Sequence, residues 1–134
     1  MLNKLLEALT GTRQRVIAVI PATELTELRE LTKQQTLIGL NTKGALAESH
    51  YKYMYEIDAT RLVLEKDKVM DESTELFYKT ERSQLLEAEY NRLNALEDEL
   101  VTKLLAAHGI EYTDETSLDI ATGEVSIDEK IDYN

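Results

Sequence analysis

Residues 71–108 read DESTELFYKTERSQLLEAEYNRLNALEDELVTKLLAAH, and the spacing of the apolar residues in this stretch decides the fold. Leu86, Tyr90, Leu93, Leu96, Leu100, Leu104 and Ala107 recur at steps of three and four, which puts them on one stripe of a helix. Glu87, Glu89, Asn91, Arg92, Glu97, Asp98 and Glu99 take up much of the remaining surface. Asp71 or Ser73 is the expected N-cap, and Glu72 and Glu75 suit the positive end of the helix dipole. At the other end Gly109 is the expected left-handed residue after the last turn. Ile110 would then fold back onto Leu105, the contact that accompanies a Schellman cap. A single helix of about 37 residues is expected here, roughly 55 Å long.

A second helical stretch is expected over about residues 45–69, where Leu46, His50, Tyr53, Met54, Ile57 and Leu64 share a face. Ala47, Tyr51, Tyr55 and Leu62 widen its apolar surface. Between Met70 and Ser73 there is neither Gly nor Pro, so a tight turn capped by Asp71 would join two antiparallel neighbours. The fold class that follows is mainly α, a long antiparallel, coiled-coil-like helical hairpin over residues 22–108 within a single domain. A third helix is expected to start near Thr23, just after Pro21, with Leu25, Leu28 and Leu31 on its apolar edge. Residues 36–44 leave two readings open. Either the chain breaks near Gly39, Asn41 and Gly44, or residues 23–69 form one helix whose small residues mark a close crossing.

The ends of the chain read differently. Residues 15–20, RVIAVI, are β-branched and stop at Pro21, as a short strand would. Residues 117–120 and 124–127 flank Ala121, Thr122 and Gly123, a hairpin pattern with Gly at the positive-φ position. A hairpin of helices would bring residues 21 and 109 to the same end, so the terminal segments can build a small β element together. The competing reading is an extended acidic arm over residues 109–134.

Composition bounds the function. The 134 residues carry a formal net charge of −11 and no Cys, which excludes disulfides, thiolate nucleophiles and sulfur-ligated metals. Residues 109–134 hold eight acids against Lys130. Such a surface repels phosphate, so direct nucleic-acid binding is not expected. No apolar run approaches the ~20 residues of a membrane span, and residues 1–9 are interrupted by Lys4 and Glu7. A cytoplasm, or a particle assembled in one, is the expected location.

No motif for catalysis, metal or cofactor is present. The two histidines, His50 and His108, have structural roles ready: packing on an apolar face, and sitting at a helix C-terminus. Neither is preceded by Glu at the spacing of a di-iron bundle, since Ala47 and Leu105 stand there. The stretch from Asp114 fails as a calcium loop, because Asp119 occupies the sixth place and Gly123 comes too late. Neither phosphate-cradling glycine pattern occurs. No enzyme and no cofactor are expected.

The tyrosines are more informative. Tyr51, Met54 and Tyr55, with Phe77 and Tyr78, form a candidate protein interface, because Tyr and Met combine apolar area with a polar or adaptable end. The plainer alternative has Tyr53 and Met54 in the core and Tyr51 and Tyr55 lying along the surface. Leu62, Val63 and Leu64, with Leu104 and Leu105, also exceed what a two-helix hairpin can hide. Either the terminal segments or another copy must cover them. The expected function is a structural or interaction subunit of an assembly, such as a virion or secretion complex, that is a homo-oligomer or binds protein partners. The alternatives are an acidic inhibitor mimicking DNA and a helical chaperone for an apolar client.

Overall fold

The structure, a computed structural model, describes residues 12–130. It is mainly helical with a small three-stranded antiparallel sheet. Strand β1 (Thr12–Val19) is followed by one 3-10 turn (Ala22–Glu24) and by helix α1 (Thr26–Glu56). Helices α2 (Ala59–Leu64), α3 (Lys66–Tyr78) and α4 (Glu81–Ala107) lead to strands β2 (Thr116–Leu118) and β3 (Glu124–Lys130). Contacts divide the described chain into two compact units. Residues 12–31 and 96–130 form the first, and residues 32–95 the second.

In the first unit the sheet order is β1-β3-β2, with β3 central and both pairings antiparallel. The expectation that both terminal segments contribute to one β element is met. Gly123 closes the β2 to β3 turn at φ +81°, and Asp119 braces that turn. The Asp119 carboxylate accepts the Ala121 N–H at 2.9 Å, and its backbone carbonyl accepts the Gly123 N–H at 2.7 Å. Arg29, on α1, donates to the Ile120 and Ala121 carbonyls, both at 3.0 Å, and satisfies the outer side of the turn. The core beneath the sheet joins Ile20, Leu25, Leu28, Val101, Leu105 and Val125. Leu104 and Ile110 pack against its edge. The terminal segments therefore cover the Leu104 and Leu105 pair.

The end of α4 carries the expected Schellman cap. The Gly109 N–H reaches the Ala106 carbonyl at 3.0 Å and the Ile110 N–H reaches Leu105 at 2.9 Å, with Gly109 at φ +73°. His108 lies beside it, with Nε2 3.2 Å from the Glu24 carboxylate.

In the second unit the helix boundaries differ from those expected. The helix expected over 71–108 is two helices, broken at residues 79–80, where the Thr80 hydroxyl accepts the Ser83 N–H at 3.2 Å and caps α4. Neither Asp71 nor Ser73 caps a helix, since both lie inside α3. The tight turn expected near residue 71 is absent for a packing reason. Val69, Ser73 and Phe77 follow one another at steps of four and are all buried, and a break at Asp71 would split that face. The chain leaves α1 at Ile57 and Asp58 instead. Asp58 caps α2 by accepting the Thr60 and Arg61 N–H groups at 2.9 and 3.2 Å. The stretch expected as one helix over 45–69 is thus the end of α1, all of α2 and the start of α3.

Helix α1 runs without a break through Gly39, Asn41 and Gly44. Ile38, Thr42, Ala45 and Ser49 lie on its inner face and are buried or half-buried, so packing offsets the ~1 kcal/mol that each helical glycine costs. Gln35 of α1 and Asn94 of α4 share a side-chain hydrogen bond of 2.9 Å, and Glu48 pairs with Arg82 at 3.2 Å.

Candidate interaction surface

The five residues expected to form an interface separate. Tyr51 and Tyr55 stand on the outer face of α1, 70% and 80% exposed, with their rings stacked at 6.3 Å between centroids. One helical turn apart, they shield each other in part and remain open to solvent. Tyr78 is exposed at the end of α3, and Met54 is half-buried. Phe77 is only 2% exposed and packs inside its unit, so it is a core residue and no part of an outward face. A period-four pairing with Val69 and Ser73 is the signal that would have placed it there.

Around these residues the polar groups are engaged structurally. His50 Nδ1 lies 2.6 Å from the Ser73 hydroxyl, and Ser73 is 1% exposed. A serine so enclosed cannot meet a substrate, and the pair joins α1 to α3. The Tyr53 phenol donates to Glu72 at 2.9 Å, and Arg61 Nη2 donates to both oxygens of the same carboxylate at 2.5 and 2.6 Å. The Arg61 guanidinium, helped by the Tyr53 hydroxyl, holds the Glu72 carboxyl below its ordinary range. The Glu72 carboxylate in turn raises the Tyr53 phenol above its ordinary value, so the phenol stays a donor. Tyr53 is therefore half-buried and tied down, unlike Tyr51 and Tyr55.

Among the described residues, no group of three His, Asp or Glu side chains is placed to hold a metal ion, and no helix is long and apolar enough to cross a membrane. The described residues line open hollows. One of about 220 Å³ lies among Glu24, Glu27, Leu28, Leu100, Lys103 and Leu104, and one of about 160 Å³ lies beside Glu48, Ser49, Lys52, Phe77 and Arg82. Both are smaller than the ~300–1,000 Å³ typical of small-molecule sites.

The apolar surface is the distinctive feature. Leu37 and Leu40 on α1, Val63 and Leu64 on α2, Leu76 on α3 and Leu85 on α4 are each at least half exposed. Val63 and Leu64 were legible as a surplus in the sequence, whereas Leu37 and Leu40 were not, because the apolar residues beside them sit on the buried face. On α4 the buried line runs through Ser83, Leu93, Val101 and Leu105, while Tyr90 and Leu96 of the expected stripe lie partly in solvent. No family model, curated protein or solved structure matches this chain.

Proposed function

We propose that the protein is a non-enzymatic structural or protein-interaction subunit, and that it associates through a long antiparallel helical hairpin in which α4 returns along α1. The contacts of Gln35 with Asn94 and of Glu48 with Arg82 support the hairpin, since residue numbers rise along one helix as they fall along the other. The observation that carries the reading is the exposed apolar surface of these helices. Monomeric soluble proteins rarely show apolar patches beyond a few hundred Å², and larger ones mark interaction sites. Exposed Tyr51, Tyr55 and Tyr78 fit that reading, because tyrosine is enriched where proteins meet.

Sedimentation velocity across protein concentration and salt tests it. Association through apolar faces persists when salt screens the acidic surface. That result is expected. Association that dissolves in salt would replace this reading with an acidic inhibitor for a basic groove. A monomer under all conditions would leave only a subunit awaiting a different chain, and would remove self-association from the proposal.

A further inference from the structure

Helix α1 carries two apolar stripes on opposite sides. The inner one, through Leu31, Ile38 and Ala45, packs within the chain. The outer one runs through Leu37, Leu40, Gly44, Ala47, Tyr51 and Tyr55, all exposed, at the steps of three and four of a heptad seam. Leu37 and Tyr55 are five helical turns apart, so the seam is about 27 Å long.

We infer that this outer stripe pairs with the same stripe of a second copy, helix beside helix, parallel and in register. The inference rests on the reading above that the protein self-associates, and adds the face, the partner and the direction. Its first support is Gly44. Among the described residues, a Cβ at Gly44 meets nothing within 4 Å, so no packing among them requires glycine there. Glycine nonetheless destabilises a helix interior relative to alanine. Gly44 and Ala47 lie at the middle of the seam, where small residues let two backbones approach.

Charge complementarity chooses the occupant and its direction. With Leu37, Gly44 and Tyr51 at one seam position and Leu40 and Ala47 at the other, Lys43 and Glu48 flank the seam on opposite sides. In a parallel in-register pair, each flanking position meets the residue five further along the partner, so Lys43 faces Glu48 twice. In an antiparallel pair Lys43 would face Lys43 and His50, and Glu48 would face Asn41. Lys43 has no ion-pair partner among the described residues. Glu48 already takes Lys52 on Oε1 at 3.4 Å and Arg82 on Oε2 at 3.2 Å, so the partner's Lys43 would join these two cations around an exposed carboxylate.

The area agrees with a dissociable dimer. Tyr51 and Tyr55 at 150–250 Å² per buried ring, with the two leucines and the stems beside them, offer roughly 600 Å² per copy. That sits at the lower edge of the ~1,200–2,000 Å² of total area that specific complexes bury.

The test uses the full chain in sedimentation velocity, with circular dichroism as a folding control. Leu40→Glu is expected to weaken dimerisation at least about tenfold and leave the helical signal unchanged. Since the chain has no Cys, Leu37→Cys supplies a single thiol. Under oxidation it is expected to give a disulfide-linked dimer, because residue 37 lies beside residue 37 only in the parallel pair. A dimer that survives Leu40→Glu would overturn the inference while leaving self-association through another face. A dimer that forms but does not cross-link through Leu37→Cys would overturn the parallel direction. A wild-type monomer at all concentrations would overturn the inference and the self-association it rests on.

Discussion

The Ile20 N–H donates to the Gly123 carbonyl at 2.7 Å, which fastens the residue before Pro21 to the turn of the C-terminal hairpin. The approach is so close that a Cβ at Gly123 would collide with the Ile20 carbonyl oxygen and would stand 3.3 Å from Leu25 Cδ1. Gly123 is thus required twice, by its φ of +81° and by its neighbour.

Gly123→Ala is expected to destabilise the protein by about 2 kcal/mol or more, because backbone strain and a clash with backbone add. Gly109 has the similar φ of +73° and open space around its Cβ position. Gly109→Ala is expected to cost only the ~1 kcal/mol of a left-handed non-glycine residue. Urea unfolding of both variants checks the order, and equal losses would contradict the close approach.

Leu93 is 1% exposed in the second unit, whereas Tyr51 is open to solvent. Leu93→Ala is expected to lose about 2–5 kcal/mol through the cavity it leaves. Tyr51→Ala is expected to change stability by less than ~0.5 kcal/mol at concentrations where the protein is monomeric. Thermal unfolding of dilute samples measures both, and a large loss for Tyr51→Ala would mean that the outer face of α1 is packed.

Ser73→Ala leaves His50 Nδ1 without its hydroxyl partner. A half-buried ring nitrogen stripped of its hydrogen bond costs ~1–3 kcal/mol. The variant should unfold earlier in urea, while hydrogen exchange in the sheet of the first unit is unchanged. Undiminished stability would show that the imidazole finds water instead.

The Glu72 carboxyl is lowered by Arg61 first and Tyr53 second. A carboxyl whose folded pKa lies below its unfolded value stabilises the fold above the unfolded pKa, and that contribution disappears as pH falls through the folded pKa. Stability should therefore decline on acidification below the ordinary carboxylate range, and Glu72→Gln should flatten that part of the decline. The raised Tyr53 phenol has the opposite sign: its contribution is complete below the ordinary tyrosine pKa and is lost in stronger alkali. Urea midpoints measured against pH for wild type and Glu72→Gln check the acid limb; identical slopes would mean that the Arg61, Glu72 and Tyr53 cluster does not persist in solution.

Features set by a few neighbouring residues were legible in advance. Gly109 with Ile110, Gly123 between two short alternating runs, and residues 15–20 before Pro21 each carry a local requirement, such as a positive φ or a missing donor. Those requirements hold in any tertiary setting. Tyr51 and Tyr55 were legible as interface candidates because tyrosine combines apolar area with a polar end. Helix breaks and burial were decided elsewhere. Asp58 and Asp71 are equal as potential caps in the sequence, and α3 is continuous through Asp71 only because Val69, Ser73 and Phe77 must share one buried face. Gly39 and Gly44 weaken a helix locally, yet packing of Ile38 and Ala45 carries α1 across them. Phe77 and Tyr78 are adjacent aromatics of similar propensity, and only the direction of α3 sends one inward and the other out to solvent. Local chemistry thus determined the Gly109 cap, the Gly123 turn and the strands, and the competition among faces for a limited interior decided where helices begin and end and which apolar residues remain outside.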